Sequence, residues 1–263
     1  MMGGHHAISG TAAWMALAGS VQVLGHPIGL GLWDLDSGQV ISGAVVATGA
    51  ALLPDVDHPS ATISRSAGGF TKAIARTVSS FAGHRGATHT LLAVAVFTGL
   101  AMLVNTVDWA LRLPVLGEVQ TGAALLVGAM CAFGTRTLKM VDGLLLPWIV
   151  GIVAALMIAV IAPDPAFWLP AAVAVGCVTH LVGDLLTTDG IPFPTWPLVA
   201  KPPKGLASDV WQRSGDVALP ILGDAGSKRE WLLCTVLTAY AAITMLTSLF
   251  ASPNALLAIS TSS

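Results

Sequence analysis

Apolar residues in this chain fall in long blocks separated by short polar runs. Seven blocks, at 7–24, 38–54, 90–107, 119–134, 143–162, 166–188 and 230–251, approach the roughly 20 apolar residues, about 17–25, that a helix needs to cross a bilayer. The strongest are 143–162 and 230–251. The first, second and fourth are short and rich in Gly, Ala, Ser and Thr, which suits tilted or shielded helices packed closely in lipid. One polar stretch departs from the pattern. Across 60–82, Phe70, Ile74, Val78 and Phe81 recur at helical spacing, with Lys72, Arg76 and Ser79 on other faces. That periodicity predicts an amphipathic helix, read as lying on the cytoplasmic leaflet rather than as a plain loop helix. With no internal repeat or low-complexity tract, the pattern predicts an all-α polytopic membrane protein. It has about seven transmembrane helices in a single domain, 1–251, followed by a tail, 252–263.

Composition sharpens this reading. Hydrophobic residues make up 54% of the 263 positions and charged residues only 10%, against about 25% in a typical soluble domain. A surface with so few charges must face lipid over much of its area. The placement of Lys and Arg predicts orientation, because they gather in cytoplasmic loops. Eleven of the twelve (Arg65, Lys72, Arg76, Arg85, Arg136, Lys139, Lys201, Lys204, Arg213, Lys228 and Arg229) fall in three alternate loops, leaving Arg112 opposite. The expectation is a multi-pass protein of the inner or plasma membrane with a cytoplasmic N-terminus. No cleaved signal peptide is expected, since no basic residue precedes the first block. The net charge of −2 gives no reason to expect a nucleic-acid partner. Cys131, Cys177 and Cys234 sit far apart inside apolar runs and read as packing residues.

Histidines and carboxylates gather at block ends. His5 and His6 precede the first; Asp55, Asp57 and His58 end the second; His84, Arg85 and His89 open the third; His180 and Asp184 close the sixth. In the seven-span arrangement all of these clusters lie at the cytoplasmic interface, although the topology was drawn from Lys and Arg alone. Imidazole nitrogen and carboxylate oxygen are common ligands of Zn²⁺ and similar ions. His180 and Asp184, four residues apart, project from one helix face. Each cluster alone has an ordinary explanation as a cap, a turn or an ion pair, but together they predict a metal site. The expected ligands are His6, Asp55, His58, His84, His89, His180 and Asp184. His6 is favoured over its neighbour His5, and His26, in the opposite loop, reads as an ordinary polar residue. Seven ligands exceed one tetrahedral zinc, so one or two ions are expected, most simply Zn²⁺, with Mn²⁺ or Mg²⁺ as alternatives. Asp57 is a spare carboxylate that can bridge ions or act as general base. Arg85 offers a planar fork for an anionic substrate.

The combination of HxxxG (His6 to Gly10), PDxDHP (Pro54 to Pro59), HRGxTH (His84 to His89) and HxxxDxxT (His180 to Thr187) resembles the YdjM-type family of inner-membrane-associated metal-dependent hydrolases. That family is in turn distantly similar to the zinc-dependent phospholipase C and single-strand nuclease superfamily. Thr90 stands where a Ser commonly follows HRGxTH, which keeps a hydroxyl. The resemblance implies a membrane-bound metal-dependent hydrolase acting on a phosphoester or ester of a membrane lipid or other interfacial substrate. A groove framed by the 60–82 helix and the Trp196–Pro197 segment is expected to admit the headgroup. The alternatives are a transporter or metal permease, which predicts ionisable residues near mid-membrane or on both faces, and a non-catalytic scaffold or regulatory protein.

Overall fold

A computed structural model describes residues 1–250 apart from 59, 67, 83–85, 107–109, 115–116, 163 and 193–195. Its helices are α1 (Gly3–Ala18), α2 (Ser37–Ala50), α3 (Gly69–Ala82), α4 (Leu91–Thr106), α5 (Thr121–Thr137), α6 (Leu146–Ile161), α7 (Trp168–Leu185) and α8 (Lys228–Phe250). Short antiparallel pairs join β1 (Gln22–Val23) to β2 (His26–Pro27), β3 (Ala110–Leu113) to β4 (Gly117–Gln120), and β5 (Ile191–Pro192) to β6 (Asp216–Val217).

Each of the seven apolar blocks contains a helix, and α3 falls in the amphipathic stretch. Among the described residues, three segments are long and apolar enough to cross a membrane: 37–57, which runs from α2 into a 3₁₀ turn, α7 and α8. The apolar helices α4 and α6 have 16 residues each, about 24 Å at 1.5 Å per residue, less than the ~30 Å hydrocarbon core. Of the seven expected spans, three are candidates by length and composition among the described residues. The first block also ends early. Leu24 and Gly25 both have positive φ, the signature of a two-residue hairpin turn, so the chain leaves α1 at Ala18 and folds back through β1 and β2.

Small residues set the helix spacing. A Cβ on Gly10 would lie 2.5 Å from the Ala47 carbonyl, one on Gly49 2.1 Å from that of Met130, and one on Gly151 2.3 Å from that of Gly128. Helices α1, α5 and α7 thus pack close to α2, and α5 to α6, as small-residue interfaces in lipid allow. Trp14 and Trp168 fill the core between them; the Trp14 indole passes over Gly43 and donates to the Val40 carbonyl at 2.8 Å. Cys131, Cys177 and Cys234 are buried and unbridged, as expected of packing residues. The outward faces of α4, α6 and α8 are apolar, with Leu92, Leu103, Ile152, Met157, Leu232 and Val236 all more than half exposed. In α3, Lys72 and Arg76 are exposed and Ala75 is buried. The side chains of Phe70, Ile74, Val78, Ser79 and Phe81 lie outside the described residues.

Candidate metal centre

Four helix ends meet at one end of the bundle. His6 stands in the first turn of α1, Asp55 and Asp57 in the 3₁₀ turn Pro54–Asp57 after α2, and His89 in the turn Ala87–His89 before α4. His180 and Asp184 occupy the last turns of α7. Pro54 opens its 3₁₀ turn, where its missing N–H costs nothing. The chain after that turn is anchored because Trp148 Nε1 and Arg136 Nη1 both donate to the Ser66 carbonyl, at 2.7 and 3.2 Å. The C-terminal end of α7 is held by Leu219 and Leu222, whose amides donate to the carbonyls of Leu185 and Leu186.

The convergence is tight. His89 Nε2 and His180 Nε2 are 3.2 Å apart. Asp184 Oδ2 lies 3.5 Å from the first and 3.4 Å from the second. Asp55 Oδ1 lies 3.7 and 3.8 Å from the same two nitrogens. Bonds of about 2.0–2.2 Å in a tetrahedron place ligand atoms about 3.3–3.6 Å apart, so each carboxylate stands near ligand spacing from the two imidazole nitrogens. Two overlapping groups of candidate ligands have atoms within 4.8 Å of one another: His6, His180 and Asp184, and Asp55, His89 and His180. His180 belongs to both groups.

Hydrogen bonding points the lone pairs inward. His180 Nδ1 is 2.7 Å from the Ala51 carbonyl, which can only accept, so Nδ1 carries the hydrogen and Nε2 is the free donor atom. At His89, Thr88 Oγ1 gives its hydrogen to Asp57 Oδ2 at 2.7 Å and therefore accepts from His89 Nδ1 at 3.1 Å. His89 Nε2 is again the atom left to ligate. Orientation of a ligand histidine through its other ring nitrogen is the usual arrangement at metal sites. His6 Nε2 lies 3.1 Å from Asp184 Oδ1 and its ring stacks on His180 at 3.7 Å. The α-amino group of Met1 contacts the same Asp184 oxygen. Asp57, His89, His180 and Asp184 are buried, and burying carboxylates costs several kcal/mol each unless charge or hydrogen bonds compensate.

Of the residues singled out in the sequence, His6, Asp55, His89, His180 and Asp184 are brought together. His58 is not in either group; its Nδ1 accepts from the Ser60 amide at 3.2 Å, because the chain turns at His58 after the 3₁₀ segment. Asp57 lies at the Nδ1 edge of His89, 3.7 Å away, opposite the edge that faces the other donors. His84 and Arg85 lie outside the described residues. A cavity of about 700 Å³ opens beside the cluster, lined by Asp55 and His58 together with Leu52, Ser60, Thr62, Asp189, Gln212 and Asp216. Among the described residues, its far wall is the 189–216 segment through Asp189, Gln212 and Asp216, and Trp196 and Pro197 do not line it.

The profile of the YdjM inner membrane protein family matches residues 1–139, over half the chain. The chain belongs to that family. The YdjM match takes in His6, Asp55, Asp57, His58 and His89, while His180 and Asp184 lie beyond it on α7. The geometry therefore joins donors from inside and outside the matched YdjM segment. No curated protein and no solved structure matches the chain.

Sequence reading missed the supports of the site: the Ala51 carbonyl, Thr88, and a buried pair between His5 and Glu230. His5 Nδ1 meets Glu230 Oε1 at 2.5 Å. A backbone carbonyl carries no sequence signal, and Thr88 was visible only as a motif position. Thr88→Val keeps the shape but removes the hydroxyl that orients His89. It should weaken Zn²⁺ binding by about 10-fold, the lower end of the ~10–100-fold range for groups that orient ligands. Zn²⁺ titration against a competing chelator checks this.

Proposed function

We propose that this protein is a membrane-bound, metal-dependent hydrolase acting on an ester or phosphoester at the lipid interface. The observation that carries the reading is the cluster of Asp55, His89, His180 and Asp184, in which both carboxylates approach the two imidazole nitrogens and Asp55 opens on a cavity. A structural ion is closed off by its ligands, whereas a catalytic one keeps access to water and substrate. When bound, the ion supplies Lewis acidity and an acidified water. Zn²⁺ suits the nitrogen and carboxylate donors, and Mn²⁺ can share such a set.

The protein's own groups divide the remaining work. His6 Nε2–H holds Asp184 by one oxygen, leaving the other free to ligate. Asp57 acts through Thr88 to set the His89 ring, a positioning role. His58 stands on the cavity wall with its Nδ1 accepting from the Ser60 amide, where an imidazole can take up a proton and pass it to a leaving oxygen. The apolar faces of α4, α6 and α8 seat the molecule in lipid, and the donors at one end of the bundle meet a headgroup rather than a species in transit. That one-ended placement favours hydrolysis over transport.

The test offers purified protein a panel of phospholipids and isoprenoid phosphates with Zn²⁺ or Mn²⁺, before and after chelation. Product that disappears on chelation and returns with metal is expected. His58→Gln should retain the ion while slowing turnover by about 10²-fold or more, the scale of a lost acid–base group. Absence of chelator-sensitive product from any lipid, with metal crossing protein-loaded vesicles instead, would replace this reading with a transporter.

A further inference from the structure

We infer that Glu230, on α8, positions His6 and through it the metal centre, by serving as the missing N-terminal cap of α1. The inference rests on the metal-centre reading above. Helix α1 starts poorly on its own. Its N-cap is Met2, which makes no side-chain capping bond, and its first turn has no acidic residue. The first amides of a helix need partners, and negative charge there is favourable. Glu230 supplies both from another helix. Its Oε1 accepts from the Met2 amide at 2.8 Å and meets His5 Nδ1 at 2.5 Å. Its Oε2 accepts from the Gly226 amide at 2.7 Å.

The sequence Ser227-Lys228-Arg229-Glu230 has the spacing of a capping box for α8. Only half of the box forms: the Glu230 amide donates to Ser227 Oγ at 3.2 Å. The reciprocal half is absent, because the Ser227 amide donates to the Asp224 carbonyl. The carboxylate that would close the box reaches α1 instead. It is buried, as is His5, which meets the Trp231 ring edge-on at 4.6 Å. His6 is the next residue after His5, so the first turn that Glu230 holds is the turn that delivers His6 to Asp184. Gly183 accommodates that delivery, since a Cβ there would lie 3.1 Å from His6 Cε1.

The experiment is a double-mutant cycle on the full-length protein in detergent, reading Zn²⁺ affinity by chelator competition and Co²⁺ absorption as a view of ligand geometry. Glu230→Ala should weaken Zn²⁺ binding by about 10-fold or more, within the ~10–100-fold range of groups that orient ligands, and should alter the Co²⁺ spectrum. In a His6→Ala background the same substitution should change affinity by less than about twofold, because the loss is routed through His6. Glu230→Gln keeps an acceptor for the Met2 amide and should recover much of the affinity; if Glu230→Ala does not fold, Glu230→Met, which keeps the volume and removes the acceptor, takes its place with the same expected loss. Equal losses with and without His6, or an unchanged affinity in a folded Glu230→Ala or Glu230→Met protein, overturns the proposal. If the unsubstituted protein binds no Zn²⁺ or Co²⁺, the metal-centre reading itself has failed, and this inference falls with it.

Discussion

Zn²⁺ affinity is expected to collapse in His180→Asn, by well over the ~10–100-fold typical of a residue that only orients a ligand. His180 is the one residue common to both groups of candidate ligands among the described residues, so its loss should weaken either arrangement. Asn is the informative replacement. Its amide N–H can still donate to the Ala51 carbonyl, the bond that His180 Nδ1 now makes at 2.7 Å, while the inward nitrogen is lost. Folding is thus retained and ligation removed. Elemental analysis of the purified variant beside unsubstituted protein reads the outcome, with a thermal unfolding profile to show that the fold survives. His58→Gln, whose residue lies outside both groups, should keep its ion under the same conditions. Retention of zinc by His180→Asn would remove the basis of the site.

The second large effect is expected from Gly176→Leu, which should destabilise the protein and empty the centre together. A Cβ at Gly176 would lie 2.7 Å from the Ala47 carbonyl oxygen and 2.8 Å from both Ala50 Cβ and the Ala51 amide. Backbone atoms cannot rotate away, so α2 and α7 must separate. Overpacking of this kind costs about 1–3 kcal/mol for extra methylenes in a core, and occasionally more; a whole isobutyl group against backbone belongs at the upper end. The consequence reaches the metal centre because His180 is one helical turn further along α7. The Ala51 carbonyl that orients it belongs to the segment being pushed away. Gly176→Ala should show the same two losses in weaker form. Thermal unfolding in detergent and bound zinc, measured on one preparation, check the coupling. A Gly176→Leu protein with unchanged unfolding temperature and full zinc content would show that the α2–α7 approach does not set the site.

Much of this arrangement was legible in the chain, for identifiable reasons. Long apolar blocks mark helices whatever they pack against, so all seven blocks contain one. Their number as full spans was not legible, because α4 and α6 stop at 16 residues and the first block is broken by the Leu24–Gly25 turn. Convergence of His6, Asp55, His89, His180 and Asp184 was readable from clusters at alternate block ends, since alternation places those ends together. The roles within the cluster were not. Asp55 and Asp57 differ by two residues, and only the 3₁₀ turn decides that one faces the ion position while the other stands behind His89. His58 belongs to the same motif, yet the turn carries it to the cavity wall. Glu230 was not singled out in the sequence, because the reach of its carboxylate to α1 depends on where two distant helices pack.

The most direct test of the centre is X-ray absorption at the zinc edge of the metal-loaded, full-length protein. Nitrogen and oxygen atoms alone, at about 2.0–2.2 Å, are expected, with outer scattering from two imidazoles that falls to one in His180→Asn. A sulfur distance near 2.3 Å would move the ion to the buried cysteines, and imidazole scattering indifferent to His180 would place it elsewhere; either result contradicts the account.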